Sequence, residues 1–594
     1  MFVASSYQQA IFDYIRYETG HLVVEAVAGS GKSTSLVEAA KLLPPTAKAL
    51  FAAFNNHIAK ELGEKLLAAG SPMECRTVHS LGKSILDRTF KTQKIEGYKY
   101  SNLCRDYLQT RNIVDRRIAQ QMAKLVDAVR LTLTQPTETN LISIINHYGM
   151  DDVEIADYGW LEMVEGIPAI LEDGKQMYLK AGIIDFTDML YLPIALDLPC
   201  PKYDVLMLDE CQDFNAAQLA LIMKCCASSG RMIYVGDRKQ AIQGFAFADT
   251  NSVNNIIART GAQVKPLSIC YRCASNVVAM AQQIVPTIEA SPTAIDGEVE
   301  VLNSEKFSTL VQPGDMVLCR TTAPLVEKCL LLLRAGIKAV VRGKDIGKSF
   351  IDMIAKLRKR RGFALDTLGD LVEGYRYEQI NVLMNVPDSE MKIASLEDKV
   401  DTFIALYEAY LNKSGVLGGT IAQFEEYIQS FFSDDEGNGA KPVMFSTVHK
   451  SKGLEAQRVF ILRPDLFPHP AAKKDWQIAQ EYNIEYVALT RAKEHLYFVG
   501  GLPNNLHLPQ PELIIEEALE IEPVPAQRRR GRPSGQTAPT KKKDFRFPES
   551  LLAALKAVAE ETGATDTQII VELLKGDPRI QQKLNVMTES EVKV

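Results

Sequence analysis

Apolar residues fall along the chain in two rhythms. In HLVVEAVA (His21 to Ala28) and YDVLML (Tyr203 to Leu208) they run almost unbroken, as in strands buried on both faces. In SLVEAAKLL, just beyond the first run, and over Leu103–Arg130 and Val153–Lys180 they recur at helical spacing. GDMVLCRTTAPL, from Gly314, reads as a strand and the start of a helix, and residues 346–440 are helical in pattern. Strands that feed directly into helices predict an α/β fold.

No apolar run approaches the roughly 20 residues of a bilayer span. The opening MFVASSYQQAIFDYI has no basic segment followed by an apolar core and a cleavage site. A cytoplasmic protein without membrane contact is expected. The 594 residues are too many for one core, so several domains are predicted. A net charge of −7 gives no global sign of nucleic-acid binding, so any phosphate contact falls to local grooves. KLRKRR (Lys356 to Arg361) and the stretch Arg528–Arg546 are the basic places. The first fits duplex DNA and a solvated helix face equally well. Cys270 and Cys273 form a C-x-x-C pair, but no second pair or histidine cluster accompanies them, so reduced thiols are expected.

The first apolar run leads into Gly29-Ser30-Gly31-Lys32-Ser33-Thr34 and then a helix. Strand, glycine-rich loop and helix is the setting of a phosphate-binding P-loop. Glycines turn backbone N–H groups from Ala28 onward towards a polyphosphate, and the helix N-terminus adds positive potential. Lys32 would reach the β- and γ-phosphates of ATP, and the Ser33 hydroxyl would ligate Mg²⁺. Ala26 stands where the general pattern has its first glycine. The second run delivers Asp209 and Glu210 at its C-terminal end, where open α/β sheets bind ligands. Asp209 would hold Mg²⁺ through its water shell, and Glu210 would orient and deprotonate the attacking water.

Seven further segments, in order, give the chain a resemblance to the UvrD/Rep-like branch of superfamily 1 DNA helicases. They are SSYQQAIFDYI near the start, ALFAAFNNHIAKEL (49–62), RTVHSLG (76–82), IYVGDRKQAIQGF (233–245), LSICYRC (267–273), FSTVHKSKGLEAQRVFIL (445–462) and YVALTRAKEHLYFV (486–499). The resemblance implies two RecA-like lobes with parallel sheets, each interrupted by a mainly helical insert. Lobe 1 would use 1–82 and 186–265, with insert 83–185; lobe 2 would use 266–345 and 441–505, with insert 346–440. It also implies that Gln8 reads adenine, with Gln9 as the competitor. Tyr271 would stack on the base, Glu455 would hold the ribose, and Gln240 would sense the γ-phosphate. Arg272 and Arg491 would reach that phosphate from the second lobe.

Single-stranded DNA needs aromatic faces for bases and polar groups for phosphates. The resembling motifs offer Phe54, Asn55, Thr77, His79 and Phe245 from lobe 1, and Thr447 and His449 from lobe 2. For Phe54 and Phe245 a core position is the competing reading. Gln243, Ala246 and Phe247 replace the family's usual Tyr, Arg and Gly, and Tyr482-Asn483 replaces an Arg pair. Coupling of ATP to DNA is therefore expected to differ in detail.

From Leu508 the chain turns proline- and charge-rich, a linker over 506–540. Within it Arg528-Arg529-Arg530-Gly531-Arg532-Pro533 resembles an AT-hook, whose arginines suit a narrow minor groove. Residues 541–594 carry a segment resembling a ribbon-helix-helix module, which would pair with a second copy, either to lay a two-stranded β-ribbon in a DNA major groove or only to dimerise or dock. The resulting expectation is an ATP-dependent helicase that moves 3′→5′ on single strands, unwinds duplex DNA and acts in replication, repair or recombination with loading partners. A translocase that strips proteins without unwinding, and a DNA-binding regulator acting through the tail, are the alternatives.

Overall fold

A computed structural model of the chain describes residues 2–53, 56–71, 73–114, 116–148, 160–242, 252–384, 389–414, 419–433 and 441–509. Phe54, Asn55, Phe245, the Gln243/Ala246/Phe247 replacements, the AT-hook-like stretch and the ribbon-helix-helix-like segment all lie outside the described residues.

Two six-stranded, all-parallel sheets organise the motor portion. The first contains β1 (Leu22–Ala26), β2 (Ala49–Ala53), β3 (Glu74–Thr77), β4 (Tyr203–Leu208), β5 (Cys226–Gly236) and β6 (Gln263–Leu267), in the order β3-β2-β4-β5-β1-β6. The second contains β7 (Glu298–Leu302), β8 (Met316–Cys319), β9 (Ala339–Val341), β10 (Val443–Thr447), β11 (Ala456–Leu462) and β12 (Ala492–Val499), in the order β7-β12-β11-β8-β10-β9. The unbroken apolar runs follow from this layering. Val23, Leu50, Leu206 and Leu208 pack into the core on one face of the first sheet, while Leu22, Val24, Phe51 and Met207 pack into the core on the other. Successive side chains of a strand point to opposite faces, so a sheet covered on both sides has no polar positions to spare.

The inserts differ in how they attach. Helices Lys99–Gln109, Arg116–Thr132, Glu138–Tyr148 and Trp160–Ala181 carry the first insert, which builds its own core around Cys104, Met122, Val126 and Ile167. A buried ionic knot ties it to lobe 1. Arg130 donates to both carboxylate oxygens of Asp185 (2.9 and 2.8 Å) and to Asp188 (3.0 Å), and its guanidinium lies 3.6 Å from the Tyr100 ring centre. Lys99 Nζ donates to Asp188 at 2.5 Å and to the Gly174 carbonyl at 2.7 Å. The second insert has no separate core. Phe350, Phe403 and Phe424 from its helices pack with Val317, Val341 and Phe445 of the second sheet. None of the described helices is long and apolar enough to cross a membrane.

Candidate nucleotide site between the two sheets

The loop after β1 turns through two left-handed glycines, Gly29 (φ 67°) and Gly31 (φ 77°), and Gly31 caps the helix Lys32–Ala40. Gly29 is required for a second reason. A Cβ there would sit 2.6 Å from Arg272 Cβ and 2.9 Å from Cys270 Sγ. The Tyr271 amide closes the same approach by donating to the Gly29 carbonyl at 2.9 Å. The segment leading into lobe 2 thus lies directly on the loop. Val27 and Ala28 share a buried apolar cluster with Cys273, Val448 and Tyr486, and the Tyr486 hydroxyl accepts from the Ala28 amide at 2.9 Å.

Within the loop, Lys32 Nζ lies 3.2 Å from Glu210 Oε1. Burial alone would lower the lysine, but Glu210, Asp209 and Asp237 together hold it above its usual value. Glu210 adopts a left-handed backbone (φ 53°), uncommon for a non-glycine residue and frequent at functional sites. Burial works against its charge, yet Lys32 and Lys452 keep it ionised, down at about 2. Asp209 goes the other way: burial and the neighbouring Glu210 charge push it up to about 7. Gln212 Nε2 donates to Glu210 Oε2, while Gln212 Oε1 accepts from the Asp237 amide at 3.0 Å. Gln240 is buried and donates to Asp237 at 2.8 Å. Ser30 Oγ, within the loop itself, is buried and has no hydrogen-bond partner.

Both arginines reach this place from lobe 2. Arg272 Nε pairs with Glu455 at 2.5 Å, and Nη1 donates to the Thr490 carbonyl at 3.2 Å. Lys493 holds the other oxygen of Glu455 at 2.6 Å. Arg491 is buried and donates to the carbonyls of Val487 (2.9 Å) and Leu454 (3.0 Å). Burial and the adjacent Arg272 charge lower it to about 10, and it lies within electrostatic range of Glu210. Gln8 is buried beside the loop: a Cβ on Gly31 would stand 3.8 Å from Gln8 Nε2 and 3.9 Å from Tyr271 Cδ2. Gln9 instead donates to Asp13 of its own helix at 2.7 Å. Tyr271 is 48% exposed, an open aromatic face at the rim. Ser33 is half-buried and Thr34 exposed at the start of the helix.

Of the nucleic-acid candidates, Thr77 and Thr447 occupy matching places. Each ends a strand, β3 or β10, each stands before a short Val-His step, and each has the same extended backbone (φ −77°, ψ 153° and φ −68°, ψ 152°). The Thr77 hydroxyl is already engaged as a helix cap, accepting from Ser80 at 3.2 Å, whereas Thr447 makes no such cap. Burial lowers His79; burial and Arg320 lower His449 to about 3, so both imidazoles are neutral at neutral pH.

Three contributors were assigned no role by the sequence: Lys452, inside the 445–462 motif, and Gln480 and Asn483, just before the 486–499 motif. Lys452 Nζ crosses from lobe 2 to Asp213 (2.5 Å) and to the Gln240 carbonyl (2.7 Å). Asn483 Nδ2 donates to the carbonyls of Arg238 (3.4 Å) and Ala241 (3.1 Å), and Gln480 to that of Ile242 (3.3 Å). Lobe 2 therefore grips the backbone that carries Gln240. The only available signal was the departure from an Arg pair at Tyr482-Asn483, which left the replacement's partner unknown.

Residues 7–260 match the UvrD/REP helicase N-terminal domain, and residues 442–499 match the UvrD-like helicase C-terminal domain. F-box DNA helicase protein 1 of Schizosaccharomyces pombe is 23% identical over 517 residues, covering 80% of this chain and 55% of that protein. DNA helicase II of Haemophilus influenzae is 21% identical over 427 residues, covering 53% and 59%. ATP-dependent DNA helicase PcrA of Leuconostoc citreum is 23% identical over 623 residues, covering 82% and 81%. The chain spans a little over half the length of the first two relatives. Both domain matches fall on the parallel sheets described above, the N-terminal domain before the C-terminal one, so the chain is similar to the UvrD-like helicases in both of these domains.

Proposed function

We propose that the chain is an ATP-dependent DNA helicase that moves along single-stranded DNA, 3′→5′, and separates duplex strands. The observation that carries the reading is the approach of Arg272 to the loop holding Lys32, with Arg491 within electrostatic range of Glu210, the acid that pairs with Lys32. Phosphoryl transfer is catalysed chiefly by positioning and charge neutralisation, and a set of cations drawn from two lobes is suited to both.

In this reading Lys32 exchanges Glu210 for the β- and γ-phosphates, which frees the Glu210 carboxylate to orient water. Gln212 holds that carboxylate in place from its other oxygen. Arg272 and Arg491 neutralise the terminal phosphate, and Gln240 reports its presence to the segment that follows. Gln8 and Tyr271 receive the adenine and Glu455 the ribose. The donor set also suits Mg²⁺: Ser33 and Asp209 offer hard oxygens, and the raised Asp209 marks a pair of buried acids short of positive charge. When bound, the ion would neutralise phosphate oxygens. Phe54, Asn55, Thr77, His79, Phe245, Thr447 and His449 are assigned to the strand itself. In the tail, the AT-hook-like arginines are assigned to duplex DNA and the ribbon-helix-helix-like segment to self-association.

ATP turnover measured with and without a single-stranded oligonucleotide tests the proposal. DNA is expected to stimulate turnover severalfold, and Lys32→Ala to abolish it. Displacement of a 3′-tailed strand is expected with ATP and not with a 5′ tail. Turnover that ignores DNA, or that survives Lys32→Ala, overturns the reading. Stripping of bound protein without strand displacement would reduce it to a translocase. Deletion of 520–594 is expected to leave DNA-stimulated turnover intact.

A further inference from the structure

We infer that Trp476 and His147 form a base-stacking subsite for single-stranded DNA, built jointly by lobe 2 and the first insert. The inference rests on the DNA-motor reading and adds to it a place for the strand outside all the motifs above.

Trp476 opens the helix Asp475–Leu489 and is 37% exposed. His147 comes from the last turn of the insert helix Glu138–Tyr148. The two rings stack with centroids 6.0 Å apart and planes 29° apart, and the His147 ring in turn meets Tyr148 edge-on at 4.7 Å. Beside them opens a cavity of about 530 Å³, lined also by Ile142, Ser143, Asn146 and Lys474. An aromatic pair serving only to weld insert to lobe would bury the indole, because burying apolar area is what stabilises such a contact. Here the ring contact leaves a face and a cavity open, edged by hydroxyl, amide and ammonium groups. That mixture suits nucleotides: flat faces for bases of any sequence, and polar and cationic groups for sugar and phosphate. Lys473 and Lys474 directly precede the tryptophan and outnumber the exposed Asp475 beside it.

Position strengthens the assignment. Trp476, Gln480 and Asn483 are spaced i, i+4 and i+7 and so share one face of their helix. Gln480 and Asn483 hold the carbonyls of Arg238, Ala241 and Ile242, and six residues beyond Gln480 the Tyr486 hydroxyl meets the phosphate loop. A strand lying on the indole would rest on the element that already grips the Gln240 segment.

The chain has two tryptophans, Trp160 and Trp476, so Trp160→Phe leaves the proposed platform as the sole indole. Full-length Trp160→Phe is titrated with oligo(dT), reading tryptophan fluorescence beside the anisotropy of a labelled oligonucleotide. Quenching that saturates together with anisotropy is expected. Trp476→Ala should raise the half-saturating oligonucleotide concentration roughly 5- to 100-fold, the range spanned by one lost stacking contact, and Trp476→Phe should restore most of it. Oligonucleotide binding without quenching, or a Trp476→Ala chain that binds as tightly as its parent, overturns the subsite and leaves the motor intact. No oligonucleotide binding by anisotropy overturns the motor reading as well. Should one variant fail to fold, the other decides.

Discussion

Glu485 brings a carboxylate into the interior one position before Tyr486. Asn505 Nδ2 donates to its Oε2 at 2.9 Å, while Oε1 and the Asn505 Oδ1 are buried without partners. Burial pushes the acid up to about 7, against the restraining Asn505 bond and with help from the Glu481 charge. Between the ordinary glutamate value of 4.5 and about 7 the folded state holds a proton that the unfolded chain releases. Stability is therefore lost as pH rises through that window, and the loss is complete above it. Glu485→Gln should remove the penalty, about 3 kcal/mol at pH 8, and the difference in denaturant midpoint from the parent should vanish near pH 4. A midpoint difference that stays constant across that range would show the side chain to be solvated. At this scale the sequence was legible wherever a residue's place follows from its local motif. Lys32, Glu210 and Gly29 sit where strand, loop and helix put them. Lys452 and Asn483 were hidden because their partners lie about 240 residues away, and only tertiary structure joins them.

Among elements, the first insert depends on its ionic knot. Arg130 and Lys99 have no exposed side-chain surface, and Asp188 has none. Removing one partner of such a set leaves the other charges buried and uncompensated. Arg130→Met is expected to cost about 3–5 kcal/mol, measured as a fall in urea midpoint of the full chain. Replacing the knot as a whole by apolar residues should cost far less, and an equal loss in both cases would count against this account. Helical spacing foresaw helices within Leu103–Arg130 and Val153–Lys180, but not the helix Glu138–Tyr148 between them. It could not foresee that Lys99, in a stretch of ordinary polarity, turns inward. Nor could it foresee that the second insert, equally helical in pattern, shares its phenylalanines with the second sheet instead of closing its own core. Periodicity gives the face of a helix and is silent about what that face meets.

Across the whole molecule, the lobes are joined around the nucleotide site by a few polar ties: Tyr486 to Ala28, Lys452 to Asp213 and Gln240, and Asn483 and Gln480 to residues 238–242. Removing two of them together, as Lys452→Ala with Tyr486→Phe, should raise amide hydrogen exchange through residues 238–242 at least severalfold while strands β4 and β8 keep their protection. Equal acceleration in those strands would mean that the ties support the cores and not the junction. The order of the first sheet has a consequence for how the chain comes into being. β1, which carries the phosphate loop, lies between β5 and β6, so while β2 can pair with β3 early, β1 finds its neighbours only after residue 226. A ribosome must therefore release the entire first insert before the nucleotide cradle can close. That insert can settle on its own core during the wait, while β1 stays an apolar segment with both ladder edges unpaired.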